Sequence, residues 1–197
     1  MPLDIGVLAL QGDFQEHRAV LESLGAAVIE VRLPHQLEGL DGLVIPGGES
    51  TTIVKLVHRW GFPDALRRFK EEGGAVWGTC AGMIVMASEL LEPDPKPLSL
   101  MDIKVSRNWF GRQVDSFETD ILVKGVSGGP VHAVFIRAPS VREHGEGVET
   151  IATLRDGTPV AVRSGKLMAT AFHPELTPDT RIHELFLRLS AGNLPSV

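Results

Sequence analysis

Cys80 is the only cysteine of the chain, and it stands in Gly78-Thr79-Cys80-Ala81-Gly82. That is the spacing of a G-x-nucleophile-x-G elbow, with sulfur where many such elbows carry a serine oxygen. A nucleophile on so sharp a turn holds a strained backbone, and glycines on both sides let the turn pack against its sheet. The helix start expected after it favours negative charge on the sulfur. A single cysteine excludes an intrachain disulfide and a cysteine-built metal cage. Taken without its neighbours it would read as a small buried hydrophobe.

A base is needed to work with that sulfur, and Phe172-His173-Pro174-Glu175 offers one at the end of an expected strand. Residues two apart on an extended backbone project to the same side, so His173 and Glu175 can act together. Pro174 keeps His173 out of the helical region and fixes its own φ, which sets the imidazole against the carboxylate. The alternative is a capped turn before a helix at Arg181. Of the seven histidines, His17, His58 and His183 fall on expected helices and His35 and His144 in polar loops, where a solvated role is the ordinary reading. His132 falls on a strand. His173 alone combines a strand end, a flanking proline and a carboxylate at i+2, which makes it the candidate base.

Pro46-Gly47-Gly48-Glu49-Ser50 follows another apolar strand. Its paired glycines allow backbone N–H groups to approach a small anion or carbonyl oxygen closely, as an oxyanion hole requires. A plain turn, with Ser50 or Thr51 capping the next helix, fits the same residues equally well.

These three segments must be positioned by a fold, and the hydrophobic pattern says which. Asp4 to Leu10, Ala27 to Arg32, Leu40 to Ile45 and Ala75 to Gly78 are short apolar or β-branched runs bounded by Gly or Pro, as buried parallel strands tend to be. Phe14 to Leu24 follows helical spacing, and Ile53, Leu56, Val57 and Trp60 recur along one helical face that should be core. Met83, Ile84, Met86, Ala87 and Leu90 predict a helix apolar nearly all round, hence central. Ile103 to Val105, Phe117 to Lys124 and Val131 to Arg137 succeed one another without helices, which suits antiparallel pairing. Val148 to Leu154, Pro159 to Arg163 and Leu167 to Phe172 extend the sheet, and Ile182, Leu185, Phe186 and Leu189 close the chain as an amphipathic helix. The expectation is a three-layer α/β fold: a mainly parallel sheet flanked by helices, with an antiparallel addition in the second half. Sites in such sheets lie at the carboxyl ends of the strands, so the loops after Leu10, Ile45 and Gly78 should meet.

At 197 residues, with 43% hydrophobic and 22% charged, the chain is expected to form one domain over residues 1–197 of ordinary globular type. A net charge of −6 argues against a nucleic-acid backbone as partner. Apolar stretches fall well short of the roughly 20 residues that cross a bilayer, and the N-terminus lacks the features of a signal peptide. A cytoplasmic location is expected.

With these motifs in view, the chain resembles the class I glutamine amidotransferase domains, and within them the glutaminase subunits of pyridoxal 5′-phosphate synthases. The likeness spans nearly the whole sequence. It rests on the Gly78 to Gly82 elbow, Phe172 to Leu176, Gly47-Gly48-Glu49-Ser50-Thr51, Arg107-Asn108, Phe110 to Glu118 and Phe135-Ile136-Arg137-Ala138-Pro139. The last three narrow the family to the subgroup. The resemblance implies that Cys80 attacks the carboxamide carbon of glutamine, that His173 moves the proton and that Glu175 orients His173. It implies an oxyanion hole at Gly48 and Ala81, and a glutamine pocket of Gly47, Gly48, Glu49, Arg107, Ile136 and Arg137. Either arginine could pair bidentately with the α-carboxylate and Glu49 could balance the α-ammonium group; a surface salt bridge is the alternative for both arginines. Trp77 and Trp109 depart from residues common in the family. Neither lies in the triad motif, and Trp109→Ala is expected to keep glutaminase activity.

No second catalytic domain is evident, so the ammonia needs a receiver. The resemblance implies a (β/α)₈-barrel synthase subunit, as a dodecameric ring decorated by glutaminases, and neither cofactor nor metal in this chain. Elbow and triad alone would also suit a stand-alone γ-glutamyl hydrolase or related Cys-His hydrolase, which the subgroup motifs oppose. A non-catalytic scaffold is opposed by the intact Cys80, His173 and Glu175.

Overall fold

The computed structural model describes residues 2–107 and 116–193. In chain order it contains β1 (Asp4–Leu8), α1 (Phe14–Ser23), β2 (Ala27–Val31), β3 (Gly42–Ile45), α2 (Ser50–Arg59), α3 (Phe62–Glu71), β4 (Ala75–Thr79) and α4 (Ala81–Met86). Then come β5 (Glu89–Leu90), β6 (Ile103–Ser106), β7 (Ser116–Ile121), β8 (Val131–Ile136), β9 (Ser140–His144), β10 (Glu149–Thr153), β11 (Pro159–Ser164), β12 (Leu167–Thr170) and α5 (Arg181–Ser190). Short 3₁₀ turns occupy Pro34–Leu37 and Pro174–Leu176. Residues 108–115, which hold Asn108, Trp109 and most of the Phe110 to Glu118 motif, lie outside the described residues.

The main sheet runs β10-β11-β12-β4-β3-β1-β2. From β12 to β2 every pairing is parallel, with Val44 beside Trp77 and Ala169 beside Gly78. β11 and β10 add an antiparallel edge. Because parallel strands are covered on both faces, β3 and β4 are buried along their whole length. Strand alternation decides which helices cover which face. Trp77 packs edge-on against His183 of α5 and His17 of α1, whereas a Cβ on its neighbour Gly78 would meet the backbone of Gly82 in α4 at 2.5 Å. The sheet is therefore sandwiched, with α1 and α5 on one side and α4 on the other. Two smaller sheets complete the fold: β7-β8, which is antiparallel, and β5-β6-β9, in which β6-β9 is antiparallel and β5-β6 parallel. The expected fold class is the observed one.

Several local expectations need correction. Trp60 lies past the end of α2 and is 49% exposed, so it is not core; Ile53, Val54 and Val57 carry that face instead. Leu90 is on a strand rather than a helix, because Ala87 leaves the helical region at ψ 154 and Ser88 N–H bonds to the Ile103 carbonyl at 3.0 Å. Helix α3 was not anticipated, although Phe62, Leu66 and Phe69 are buried at helical spacing and Pro63 sits in its first turn. Among the described residues, no helix is long and apolar enough to cross a membrane.

Candidate active site

The loops after β1, β3 and β4 converge at the carboxyl ends of their strands, held by named bonds. Asp13 N–H donates to the Gly47 carbonyl at 3.1 Å, Glu49 N–H to Gln11 Oε1 at 2.8 Å, and Cys80 N–H to the Thr170 carbonyl at 2.8 Å. Between them lies a cavity of about 530 Å³ lined by Asp13, Gly48, Glu49, Ser50, Cys80, Ala81, Ile84, Arg107, Ile136, Arg137 and His173.

Cys80 occupies the elbow with φ 48 and ψ −105, a conformation that L-residues rarely adopt. The flanking glycines explain how the turn fits. A Cβ on Gly82 would collide with the Ile45 carbonyl oxygen, and one on Gly78 would meet Gly82 itself. The strand end, the helix start and the neighbouring strand thus approach more closely than any side chain would permit. The Cys80 sulfur lies 3.7 Å from the Ile136 carbonyl oxygen at the end of β8.

His173 arrives from the opposite direction. Its N–H donates to the Val134 carbonyl of β8 at 2.8 Å, and Pro174 starts the short turn that carries Glu175 back beneath it. Nδ1 of His173 is 2.7 Å from Glu175 Oε1, and both side chains are buried. Burial opposes the imidazolium, yet the Cys80 side chain and the Glu175 carboxylate outweigh it and lift the His173 pKa to about 10. With Nδ1 committed to Glu175, Nε2 is the nitrogen left to exchange a proton with sulfur. Burial pushes the Glu175 carboxyl up, opposed by the hydrogen bond and charge of His173.

The remaining candidates fall around this core. Gly47 lies behind His173, where a Cβ would come within 2.6 Å of the imidazole Cε1. Gly48 has φ 153 and would press a Cβ to 2.5 Å of Gln11 Oε1. Ala81 opens α4, so its N–H has no partner within the helix. Glu49, and not Ser50 or Thr51, caps α2: its carboxylate accepts from Thr51 N–H at 3.3 Å and Thr52 N–H at 2.7 Å. Burial, which raises its pKa, is outweighed by these bonds, and the carboxyl is held below its usual value. Arg107 reaches over the same loop, with Nη2 at 3.8 Å from Glu49 Oε1 and 3.4 Å from Thr51 Oγ1, and Nη1 on the Asp94 carbonyl at 2.8 Å. Arg137, at φ 45, and Ile136 form the rim contributed by β8.

Sequence reasoning missed two groups. Asp13 lines the cavity with Oδ2 at 3.7 Å from His173 Nδ1, and burial raises its pKa. Its only signal was its place in a loop expected at the site. His17 and His183, expected to be solvated, are wholly buried and bonded ring to ring at 3.0 Å. Their ring faces were hidden in helices whose polar pattern looked ordinary. Asp13, His173 and Glu175 present ligand atoms within 4.8 Å of one another, a grouping that a cation could use. The two Glu175 oxygens already face ring nitrogens of His173 and His17, however, which suits proton handling.

Comparison with known proteins adds to this geometry. The SNO glutamine amidotransferase family matches residues 7–191. Pyridoxal 5′-phosphate synthase subunit PdxT of Herpetosiphon aurantiacus is 56% identical over 190 residues, covering 95% of this chain and 100% of that protein. PdxT of Thermus thermophilus is 55% identical over 188 residues, covering 94% and 97%. A crystal structure of a glutamine amidotransferase aligns with a TM-score of 0.90 at 52% identity, covering 95% of this chain and 98% of that one. A chain of PurLQS from Thermotoga maritima, at 13% identity and a TM-score of 0.68, covers 95% and 98% and shares the fold.

Proposed function

Because the chain belongs to the SNO glutamine amidotransferase family, we propose that it is the glutaminase subunit of a pyridoxal 5′-phosphate synthase, releasing ammonia from L-glutamine for the synthase subunit. The observation that carries this reading is one cavity lined by a strained cysteine and a buried histidine, with the buried Glu175 carboxylate bonded to that histidine from behind, in a chain that shares more than half its residues with named subunits of that synthase.

In the proposed mechanism the Cys80 sulfur attacks the carboxamide carbon of glutamine, and His173 carries the thiol proton to the departing nitrogen. Ammonia leaves and a γ-glutamyl thioester remains. His173 then takes a proton from water as it attacks the thioester, and glutamate and the thiol are restored. Glu175 keeps the imidazole oriented and offsets its charge. N–H groups of Gly48 and Ala81 hold the developing oxyanion, each such donor being worth about 3–4 kcal/mol in comparable sites. Gly47 leaves room for the imidazole, Arg107 or Arg137 takes the α-carboxylate, Glu49 faces the α-ammonium group and Ile136 walls the pocket.

Residues 1–197 are taken as one glutaminase domain working in the cytoplasm without a cofactor. Its partner is a (β/α)₈-barrel synthase, arranged as a dodecameric ring that carries glutaminases on its outside. A guarded ammonia supply favours weak activity until the partner docks, and paired glycines at 47–48 give the oxyanion loop the freedom to rearrange on docking.

Ammonia release from glutamine, with and without the synthase subunit and beside a Cys80→Ala control, tests this reading. Partner-dependent release that vanishes in the control is the expected result. Full release by the isolated chain would instead mark an independent hydrolase, and glutamine-dependent synthesis by Cys80→Ala would mark a scaffold.

A further inference from the structure

One buried polar cluster lies beside the triad without a part in the mechanism above. His17 of α1, Thr79 of β4 and His183 of α5 are all fully buried. His17 Nδ1 is 3.0 Å from His183 Nε2, and His17 Nε2 is 3.1 Å from Thr79 Oγ1 and 3.4 Å from Glu175 Oε2. That oxygen of Glu175 and Nδ1 of His183 are buried without a hydrogen-bond partner among the described residues. Trp77 lies edge-on to both rings, at 5.4 Å from His17 and 4.9 Å from His183, and fixes their planes.

Resting on the glutaminase reading, we propose that His17 is a positioning residue: its Nε2–H faces the second oxygen of Glu175 and holds that carboxylate ionised and aimed at His173. At 3.4 Å the contact is long for a hydrogen bond, so its effect is mainly electrostatic, in a site from which water is excluded.

The tautomers follow from what each nitrogen faces. Burial foremost, then the charges of His183 and His173, push the His17 pKa well below 6.5, and burial takes His183 to about 3. Each ring is therefore neutral and carries a single N–H. A proton on Nδ1 of His17 would turn the Nε2 lone pair toward the Glu175 carboxylate. It would also force His183 to accept at Nε2 and to carry its own proton on Nδ1, where the described residues offer no partner. A buried N–H without an acceptor is the rarer and costlier fault. With the protons on Nε2 of both rings, His183 donates to His17, and the His17 N–H lies between Thr79 Oγ1 at 3.1 Å and Glu175 Oε2 at 3.4 Å, leaving only one unused lone pair on His183. The other ionisable groups facing Glu175 are His173 on its own turn and Asp13 from the loop after β1.

Two measurements decide. Long-range ¹⁵N–¹H correlation on the wild-type chain reads the tautomers without reference to activity; Nε2–H on both rings is expected, and Nδ1–H on His17 would overturn the proposal. In the complex with the synthase, His17→Leu should lower kcat about tenfold or more while KM stays within about twofold, the pattern of an interaction felt in the transition state. The acid limb of its kcat/KM profile should move to higher pH, since Glu175 then protonates more easily. His17→Gln, which returns an N–H at similar reach, should restore most of both. Unchanged kcat in His17→Leu, or equal losses in both variants with an unmoved acid limb, would leave His17 a packing residue only. If the wild-type complex released no ammonia, the glutaminase reading itself would fall, and the tautomers would still report whether His17 faces Glu175 as a donor.

Discussion

Nδ1 of His173 and Oε1 of Glu175 lie 2.7 Å apart with only Pro174 between them in sequence. The 3₁₀ turn that starts at Pro174 brings the second side chain under the first, so a local motif makes a buried charge pair. Burial works against the His173 imidazolium, but Cys80 and Glu175 raise its pKa from 6.5 to about 10. A group whose folded pKa is raised contributes stability that is fully present below about pH 6.5 and is lost as pH rises through about 10. Urea unfolding followed between these limits should show a falling midpoint at the alkaline end, and His173→Gln should show less of that fall.

Backbone strain at Cys80 gives a separate expectation. A non-glycine residue at φ 48 and ψ −105 costs about 1–3 kcal/mol. Glycine relieves that cost but gains about 0.5–1 kcal/mol of freedom when unfolded. Cys80→Gly should therefore be more stable than Cys80→Ala by about 1 kcal/mol, read by thermal unfolding, while neither releases ammonia.

Glycines at 47 and 82 should respond differently to the same methyl group. Gly82→Ala sets a Cβ against the Ile45 carbonyl at the centre of the fold, and a loss of about 3 kcal/mol in stability is expected. Gly47→Ala meets side chains rather than backbone, the edge of the His173 ring at 2.6 Å and Asp13 Oδ2 at 3.2 Å. Its stability should change by less than about 1 kcal/mol while kcat falls about 100-fold, because a small displacement of a reacting group is costly. Paired unfolding and ammonia assays distinguish the two.

Arg107 spans Glu49, Thr51 and Asp94 at the cavity wall. If it takes the glutamine α-carboxylate with its planar fork, Arg107→Lys should raise KM about tenfold, or 1.4 kcal/mol, with kcat little changed. Glutamine saturation curves measure this, and an unchanged KM would transfer the role to Arg137.

How much of this was legible beforehand depends on the range of the interactions. The elbow at Cys80, the His173-Pro174-Glu175 turn and the glycine loop at 47–48 each reside within a few residues, and local backbone chemistry gives such patterns a narrow range of meanings. The parallel sheet was legible for a related reason, since β-strands buried on both faces leave short apolar runs between turn residues. The period of helix α3 rests on Phe62, Leu66 and Phe69 alone, and Leu90 continues the helical spacing of Met83 to Ala87 beyond the turn at Ala87 that ends the helix.

By itself the sequence determined which cysteine, histidine and carboxylate are the candidates for nucleophile, base and orienting group, because each motif depends on neighbours in the chain. Only the tertiary structure decided what surrounds them. Asp13 comes beside His173 from 160 residues away in the chain, and His17 meets His183 across 166. The reason is that burial and ring-to-ring contact are made between helices laid on the same sheet face, and a helix's own period marks the polar face without saying whether water or another polar side chain will cover it.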